Sequence, residues 1–344
     1  MHRTWVLVAV LGTGGAATVG AALGVTNSGT TANESEALRA PVITGYSTMC
    51  NASAAVSVGK GLFVVADDED KKSTKLRLYR IGQAGEPLSK EAINEEFLGL
   101  EDDGLEVDLE GAAEVDDRVY WIGSHSADKE GKAMRNRRRL FATKLSVQNG
   151  KDLKIKEIDQ PYRHLISDLH EDDNYRPFNL IDAARKDSKS DGALSIEGLA
   201  STPDGDLLIG FRNPIIQGRA LVARLKNPKG VMKNEFGKFA KPILLDLGGL
   251  GIRSMERKGD KYYIIAGRFD GNPDFKLFRW SGQPHQAPEL VPGITFPDLN
   301  PEALFFEGTD GYILSDDGKR EIAGKSCEKL EKELRLFRGF GFKP

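Results

Sequence analysis

Five short apolar runs of the same shape recur along this chain: LFVV at 62–65, VYWI at 119–122, DLLI at 206–209, YYII at 262–265 and GYIL at 311–314. They superpose without gaps. Nine residues before the start of each stand Ser53, Glu110, Glu197, Arg253 and Glu302, and each Glu is followed by Gly or Ala. Each run ends in a polar tip: Ala66-Asp67-Asp68, Gly123-Ser124-His125, Gly210-Phe211-Arg212, Ala266-Gly267-Arg268 and Ser315-Asp316-Asp317. Beyond every tip lies a second run rich in aliphatic and aromatic residues, at 75–81, 139–145, 219–225, 275–280 and 334–340. Short runs of this composition between turn residues predict strands.

The repeating unit is therefore strand, turn, strand, loop, strand, with room for a fourth strand such as 153–159 or 241–247. Counted at the Glu position, the intervals are 57, 87, 56 and 49 residues. Four antiparallel strands in such a period predict an all-β chain, a β-propeller of five blades. A sixth blade could hide in the long interval or be built from both termini. The alternative is a sandwich of unrelated hairpins. The strand-like segment 40–50 precedes the first unit and is placed to complete the last blade. The long interval holds an insertion at about 160–192, where Leu165, Ile166 and Leu169 follow Pro161 at helical spacing and predict a short helix. That insertion is either a lid over one face or a surface decoration.

Composition changes this picture little. The chain has 344 residues, 29 % of them charged, and a net charge of −3. A near-neutral balance gives no electrostatic footprint for nucleic acid. The first residues carry His2 and Arg3, then an uncharged apolar stretch, then small residues. This reads as a secretory signal and leader over 1–32, with an uncleaved anchor as the alternative, and a single propeller domain over 33–344. No later segment is apolar enough to span a bilayer, so no transmembrane part is expected after signal removal. The two cysteines, Cys50 and Cys327, lie near the two ends of the body. In an exported protein such a pair is read as bridged, the alternative being two free, buried thiols.

The aligned positions carry the candidate chemistry. If the first strand of each unit is innermost, Ser53, Glu110, Glu197, Arg253 and Glu302 form a ring around the channel. The tips Asp68, His125, Arg212, Arg268 and Asp317 then gather near one mouth. Three carboxylates in a narrow channel cannot all ionise unpaired. Either they pair with Arg212, Arg253 and Arg268, or Glu110, Glu197 and Glu302 hold a cation, for which oxygen ligands suit Ca2+ or Mg2+. Guanidiniums at the mouth also suit an anionic ligand. Glu110, Glu197 and His125 are the candidate catalytic groups. Arg212, Arg253, Arg268, Glu302, Asp317 and Asp68 are the candidate ligand contacts. The segment 184–192 reads as an exposed loop. No G-x-S-x-G elbow, H-E-x-x-H or paired C-x-x-C motif occurs, and the glycines around Lys325-Ser326 miss the P-loop spacing.

The strings DLEGAAEVDDRVYWIGSHSADKEGK, RRRLFATKL, SIEGLASTPDGDLLIGFRNPI, GRALVARLKNP and GLGIRSM, in this order and spacing, resemble the bacterial family DUF3616 over most of residues 45–340. The resemblance implies a bacterial domain type rather than a reaction. More distantly the Glu-Gly strand pattern is similar to phytase-like, esterase-like propellers, exported proteins whose acidic channel residues bind Ca2+ and phosphate esters; here Arg212, Arg253 and Arg268 replace some acids. The expectation is an exported monomer, periplasmic or secreted, that binds a small anionic ligand or a divalent cation. Metal-assisted ester or lactone hydrolysis and a scaffold for a protein partner are the alternatives.

Overall fold

The structure, a computed structural model, describes residues 41–67, 74–101 and 106–344. The strands follow in chain order as β1 (Thr44–Ser47), β2 (Ala52–Gly59), β3 (Leu62–Asp67), β4 (Lys75–Arg80), β5 (Ser89–Ala92), β6 (Leu109–Val115), β7 (Arg118–Gly123), β8 (Leu140–Gln148) and β9 (Asp152–Tyr162). After the insertion come β10 (Ser195–Ser201), β11 (Leu207–Ile216), β12 (Arg219–Leu225), β13 (Ile243–Leu245), β14 (Gly251–Lys258), β15 (Lys261–Gly267), β16 (Phe275–Trp280) and β17 (Glu289–Leu290). The chain ends with β18 (Pro301–Glu307), β19 (Asp310–Ser315), the small hairpin β20 (Glu321–Ile322) and β21 (Lys325–Ser326), and β22 (Leu336–Phe342).

These strands form five antiparallel four-stranded sheets: β2–β5, β6–β9, β10–β13, β14–β17, and a last sheet ordered β18-β19-β22-β1. The first strands β2, β6, β10, β14 and β18 lie side by side in a closed ring. The fold is a five-bladed propeller, and no sixth blade is needed. The segment before blade one supplies β1, which pairs with β22 from Thr44↔Gly339 to Ser47↔Leu336 and completes blade five.

The middle strands explain the unbroken apolar runs. Each is sandwiched between two neighbouring blades, so both of its faces are buried. On β3, Leu62, Val64 and Ala66 face blade two, while Phe63 and Val65 face blade five. On β15, Tyr262, Ile264 and Ala266 face blade three, while Tyr263 and Ile265 face blade five. Among the described residues one such core lies in each of the five gaps between blades.

The predicted helix is present as α2, following the four-residue α1; their bounds are Leu165–Glu171 and Glu95–Leu98. In α2, Leu165, Ile166 and Leu169 are buried against the core between blades two and three. Asp168 of this helix accepts hydrogen bonds from the Tyr162 hydroxyl and from Gly237 N at 2.7 Å. The insertion then turns toward the tips of the blades. Residues 184–192 are held there by Asn213, whose Nδ2 donates to Ser188 O at 3.1 Å and Ser190 O at 2.7 Å. The insertion is thus neither wholly a lid nor a mere decoration: its helical half fills the core, and only the loop reaches the mouth.

Cys50 and Cys327 are joined in a disulfide with Cα atoms 6.0 Å apart, at a sequence separation of 277. It ties the chain after β1 to the segment before β22, beside the seam of the ring. Among the described residues no helix is long and apolar enough to cross a membrane. Residues 1–32, read as a signal and leader, and Asp68, read as a tip residue, lie outside the described residues.

Candidate functional site

The ring predicted from the repeat is built by a backbone device. In β6 the register passes from Leu109↔Gly123 to Gly111↔Ile122, so Glu110 is the extra residue of a β-bulge. The same slip falls on Glu197 in β10, Arg253 in β14 and Glu302 in β18, and spans Ser53-Ala54 in β2. A bulge leaves one residue out of the ladder and re-aims its side chain. Here it recurs at one level of all five innermost strands. The small residue that follows lets the next blade approach. A Cβ on Gly111 would lie 2.8 Å from Leu199 Cβ, and one on Gly198 would lie 2.7 Å from Ile252 Cγ2.

The charges at this level are mutually engaged. Glu197, 2 % exposed, accepts from Arg212 Nη1 at 2.6 Å and from Ser195 Oγ at 3.3 Å. Its other oxygen, Oε2, lies 3.8 Å from Arg253 Nε. Arg253, 3 % exposed, pairs through Nη2 with Glu302 and donates through Nε to Pro301 O at 3.3 Å. Glu302 also accepts from Ser53 Oγ at 3.2 Å and Asn300 Nδ2 at 3.3 Å. Burial pulls Arg253 below the ordinary arginine range, partly offset by Glu197. Burial likewise opposes the charge of Arg212, but Glu197 outweighs it and holds the guanidinium above that range. Glu110 adds to the field on both arginines.

This donor set does not fit a Ca2+ or Mg2+ ion. Arg253 stands between Glu197 and Glu302, where a cation would have to sit, and like charge there repels it. Among the described residues no three His, Cys, Asp or Glu side chains cluster as a metal site.

Of the predicted tip residues, Arg212 spends its remaining donors on Arg268 O at 3.2 Å and Phe269 O at 3.0 Å. Arg268 turns outward to Asp270, at 2.5 Å. Asp317 is buried within blade five, accepting from Arg338 Nε at 2.7 Å and Ser315 Oγ at 2.9 Å. His125 is fully buried; Nδ1 meets Gly123 O at 2.8 Å, and burial pushes its pKa down to about 4. Its Nε2 is buried and has no partner among the described residues. The structure thus brings Glu197, Arg212, Arg253 and Glu302 together and sends Arg268, Asp317 and His125 to separate surroundings.

Sequence reading passed over the groups that remain open at the mouth. Lys189, on the inserted loop, lies beside Lys319, which follows the tip of blade five. Its amine is pushed down to about 8, first by contact with Lys319, then by burial and by the further charges of Arg212 and Lys129. Lys189 also reaches blade four: a Cβ on Gly271 would lie 3.9 Å from its Nζ. No carboxylate lies within 4.0 Å of either lysine ammonium among the described residues. The available signal was the run Arg185, Lys186 and Lys189 in a loop that had to come back to the start of blade three.

The fold and this geometry can be set beside known proteins. No curated protein matches the chain. Among solved structures, a luciferin-regenerating enzyme is 12 % identical, with 83 % of this chain and 76 % of that one covered and a TM-score of 0.35. A PQQ-bound aldose sugar dehydrogenase from Streptomyces coelicolor is 9 % identical over 88 % and 100 %, with a TM-score of 0.40. A B. megaterium levansucrase variant is 12 % identical over 80 % and 78 %, with a TM-score of 0.41. Similarities at this level carry no functional argument. The family model described as "Protein of unknown function (DUF3616)" matches residues 51–152 and 142–296, which takes in blades one to four with their bulged inner strands and the inserted loop. The chain is a member of the DUF3616 family.

Proposed function

We propose that this is a binding propeller, exported from a bacterial cell, that takes up a small oligovalent anion at the channel mouth beneath the 184–192 loop. One observation carries the reading: Lys189 of the inserted loop and Lys319 beyond the tip of blade five are brought together with no carboxylate within 4.0 Å among the described residues, while the arginines below are already committed to glutamates. Two ammonium groups side by side repel, and an anion between them converts that repulsion into attraction. Lysine suits this task because its compact charge accepts oxygens from many directions. The Glu–Arg ring is then the rigid floor of the site. Export is supported by the buried disulfide, a bond typical of oxidising compartments.

The test is thermal unfolding and calorimetric titration of the disulfide-bonded protein with inorganic phosphate, citrate and chloride at equal ionic strength. Ligand that binds the native state raises its melting temperature by mass action. Phosphate or citrate is expected to raise it where chloride does not, and Lys189→Ala with Lys319→Ala is expected to abolish the difference. Equal behaviour of all three anions in the parent would overturn the proposal and turn attention to a protein partner.

A further inference from the structure

The segment 316–335 joins β19 to β22 and brings Lys319 to the mouth. Little of its own packing holds it there. Cys327 is the one buried residue between Lys319 and Arg335, and no side chain of 318–335 joins any of the five cores. Its hairpin, β20 with β21, pairs only with itself. A stretch with so few buried apolar contacts opens readily unless it is tied down.

The disulfide supplies the tie. Lys319 sits in the turn Asp317–Arg320, which is closed by Arg320 N donating to Asp317 O at 2.9 Å. Asp317 N donates to Cys50 O at 2.9 Å, and Cys327 N donates to Arg320 O at 2.9 Å. The two halves of one cystine thus grip the two ends of the turn that carries Lys319. Glu328 N adds a bond to Gly318 O at 3.1 Å. The turn also lies tight on the chain next to Cys50, where a side chain on Gly318 would collide with Asn51. Cys50 and Cys327 are both fully buried, and Cys50 directly precedes the inner strand β2. The grip is therefore anchored to the ring itself. Blade five holds only the start of the turn independently, through Arg338 on Asp317.

We propose that the Cys50–Cys327 bond is a positioning device for the mouth: it fixes the turn bearing Lys319, so that the anion site reaches full strength only in the disulfide-bonded protein. This rests on the anion reading above. Two ammonium groups drive each other apart, so a site that needs both must hold both backbones. Asn213 does this for Lys189, gripping Ser188 O and Ser190 O on either side of it. The cystine does it for Lys319. Forming the bond takes two electrons and two protons from the thiols. A low-molecular-weight disulfide such as oxidised glutathione accepts them by exchange and leaves as two thiols.

The test compares citrate affinity by calorimetry in the oxidised parent and in Cys50→Ala with Cys327→Ala, at a temperature where circular dichroism shows both folded. The bond-free protein is expected to bind several-fold more weakly. Lys319→Ala should cost affinity in the parent and nothing further in the bond-free background. Parent refolded in dithiothreitol should match the bond-free variant and recover on reoxidation with oxidised glutathione. Trypsin should cut after Lys319 and Arg320 several-fold faster without the bond, while cutting after Lys151, in the turn between β8 and β9, stays the same. If the bond-free protein does not fold, Gly318→Ala gives the second reading: it keeps the bond, crowds the turn away from Asn51 and should also weaken citrate binding. Equal citrate affinity with and without the bond, or in Gly318→Ala and the parent, would overturn this inference and leave the anion site standing. No citrate binding by the oxidised parent would overturn both.

Discussion

Ser53 in the first blade donates to Glu302 in the last, across 3.2 Å. Glu302 in turn meets Arg253 of blade four, and Arg253 lies beside Glu197 of blade three. A line of buried polar contacts thus crosses the seam of the ring at the level of the bulges. Removing one member of a buried pair leaves the other charged and unmatched, at a cost of about 3–5 kcal/mol. Arg253→Met and Glu302→Gln should each lower the midpoint of urea unfolding sharply. The double variant should lose much less than the sum of the two, because the partners go together and neither is left unmatched. Additive losses would mean that the pair is not a coupled unit.

The disulfide closes nearly the whole propeller into a loop, joining cysteines at a sequence separation of 277. The chain-entropy model assigns such a closure about 5 kcal/mol, as an upper figure. Cys50→Ser with Cys327→Ser should therefore lower the melting temperature by several degrees, as should a reductant on the parent. A reductant that lowers the parent but leaves the double variant unchanged identifies the bond as the cause.

Lys189 carries a pH signature. Its folded pKa is depressed to about 8 against an ordinary lysine value near 10.5, chiefly by Lys319. Between those values the unfolded chain binds more protons, so this group's contribution to stability rises with pH across about 8 to 10.5. Relative to Lys189→Met, the parent should gain stability across that window. The same deprotonation should weaken citrate binding as the pH passes through about 8. A flat affinity from pH 6 to 9.5 would remove Lys189 from the anion site.

Glu256 has the opposite sign. Burial raises its carboxyl to about 8 from a value near 4.5. Its stabilising contribution is complete below about pH 4.5 and is lost as the pH climbs through about 8. Glu256→Gln, which fixes the neutral form, should match the parent at pH 5 and exceed it at pH 9 by on the order of 2 kcal/mol. Chemical denaturation at the two pH values reads this directly.

Much of the architecture was legible because both faces of a propeller's middle strands are buried, and that writes a continuous apolar run such as Val119–Ile122 into the chain. The Glu-Gly pairs also marked the inner strands. The bulges were not legible. A single unpaired residue such as Glu197 leaves no trace in the alternation and is set by pairing with another strand. Glu197, Arg253 and Glu302 stand together at one level, and the choice between pairing with arginine and holding a cation depends on where Arg253 falls between two glutamates. Lys189 was missed for a related reason: its significance comes from a residue far away in the chain, Lys319.

The closure of blade five also sets a schedule for making the protein. β1 is the first strand of the ring to be synthesised, yet its partner β22 is the last. Throughout elongation β1 has no ladder to join, and no nascent chain can complete the ring before its final strand is released. Pairings so distant in sequence form slowly, and they leave unpaired edges exposed while they wait. Such a chain closes its ring only once β22 has been made and has found β1.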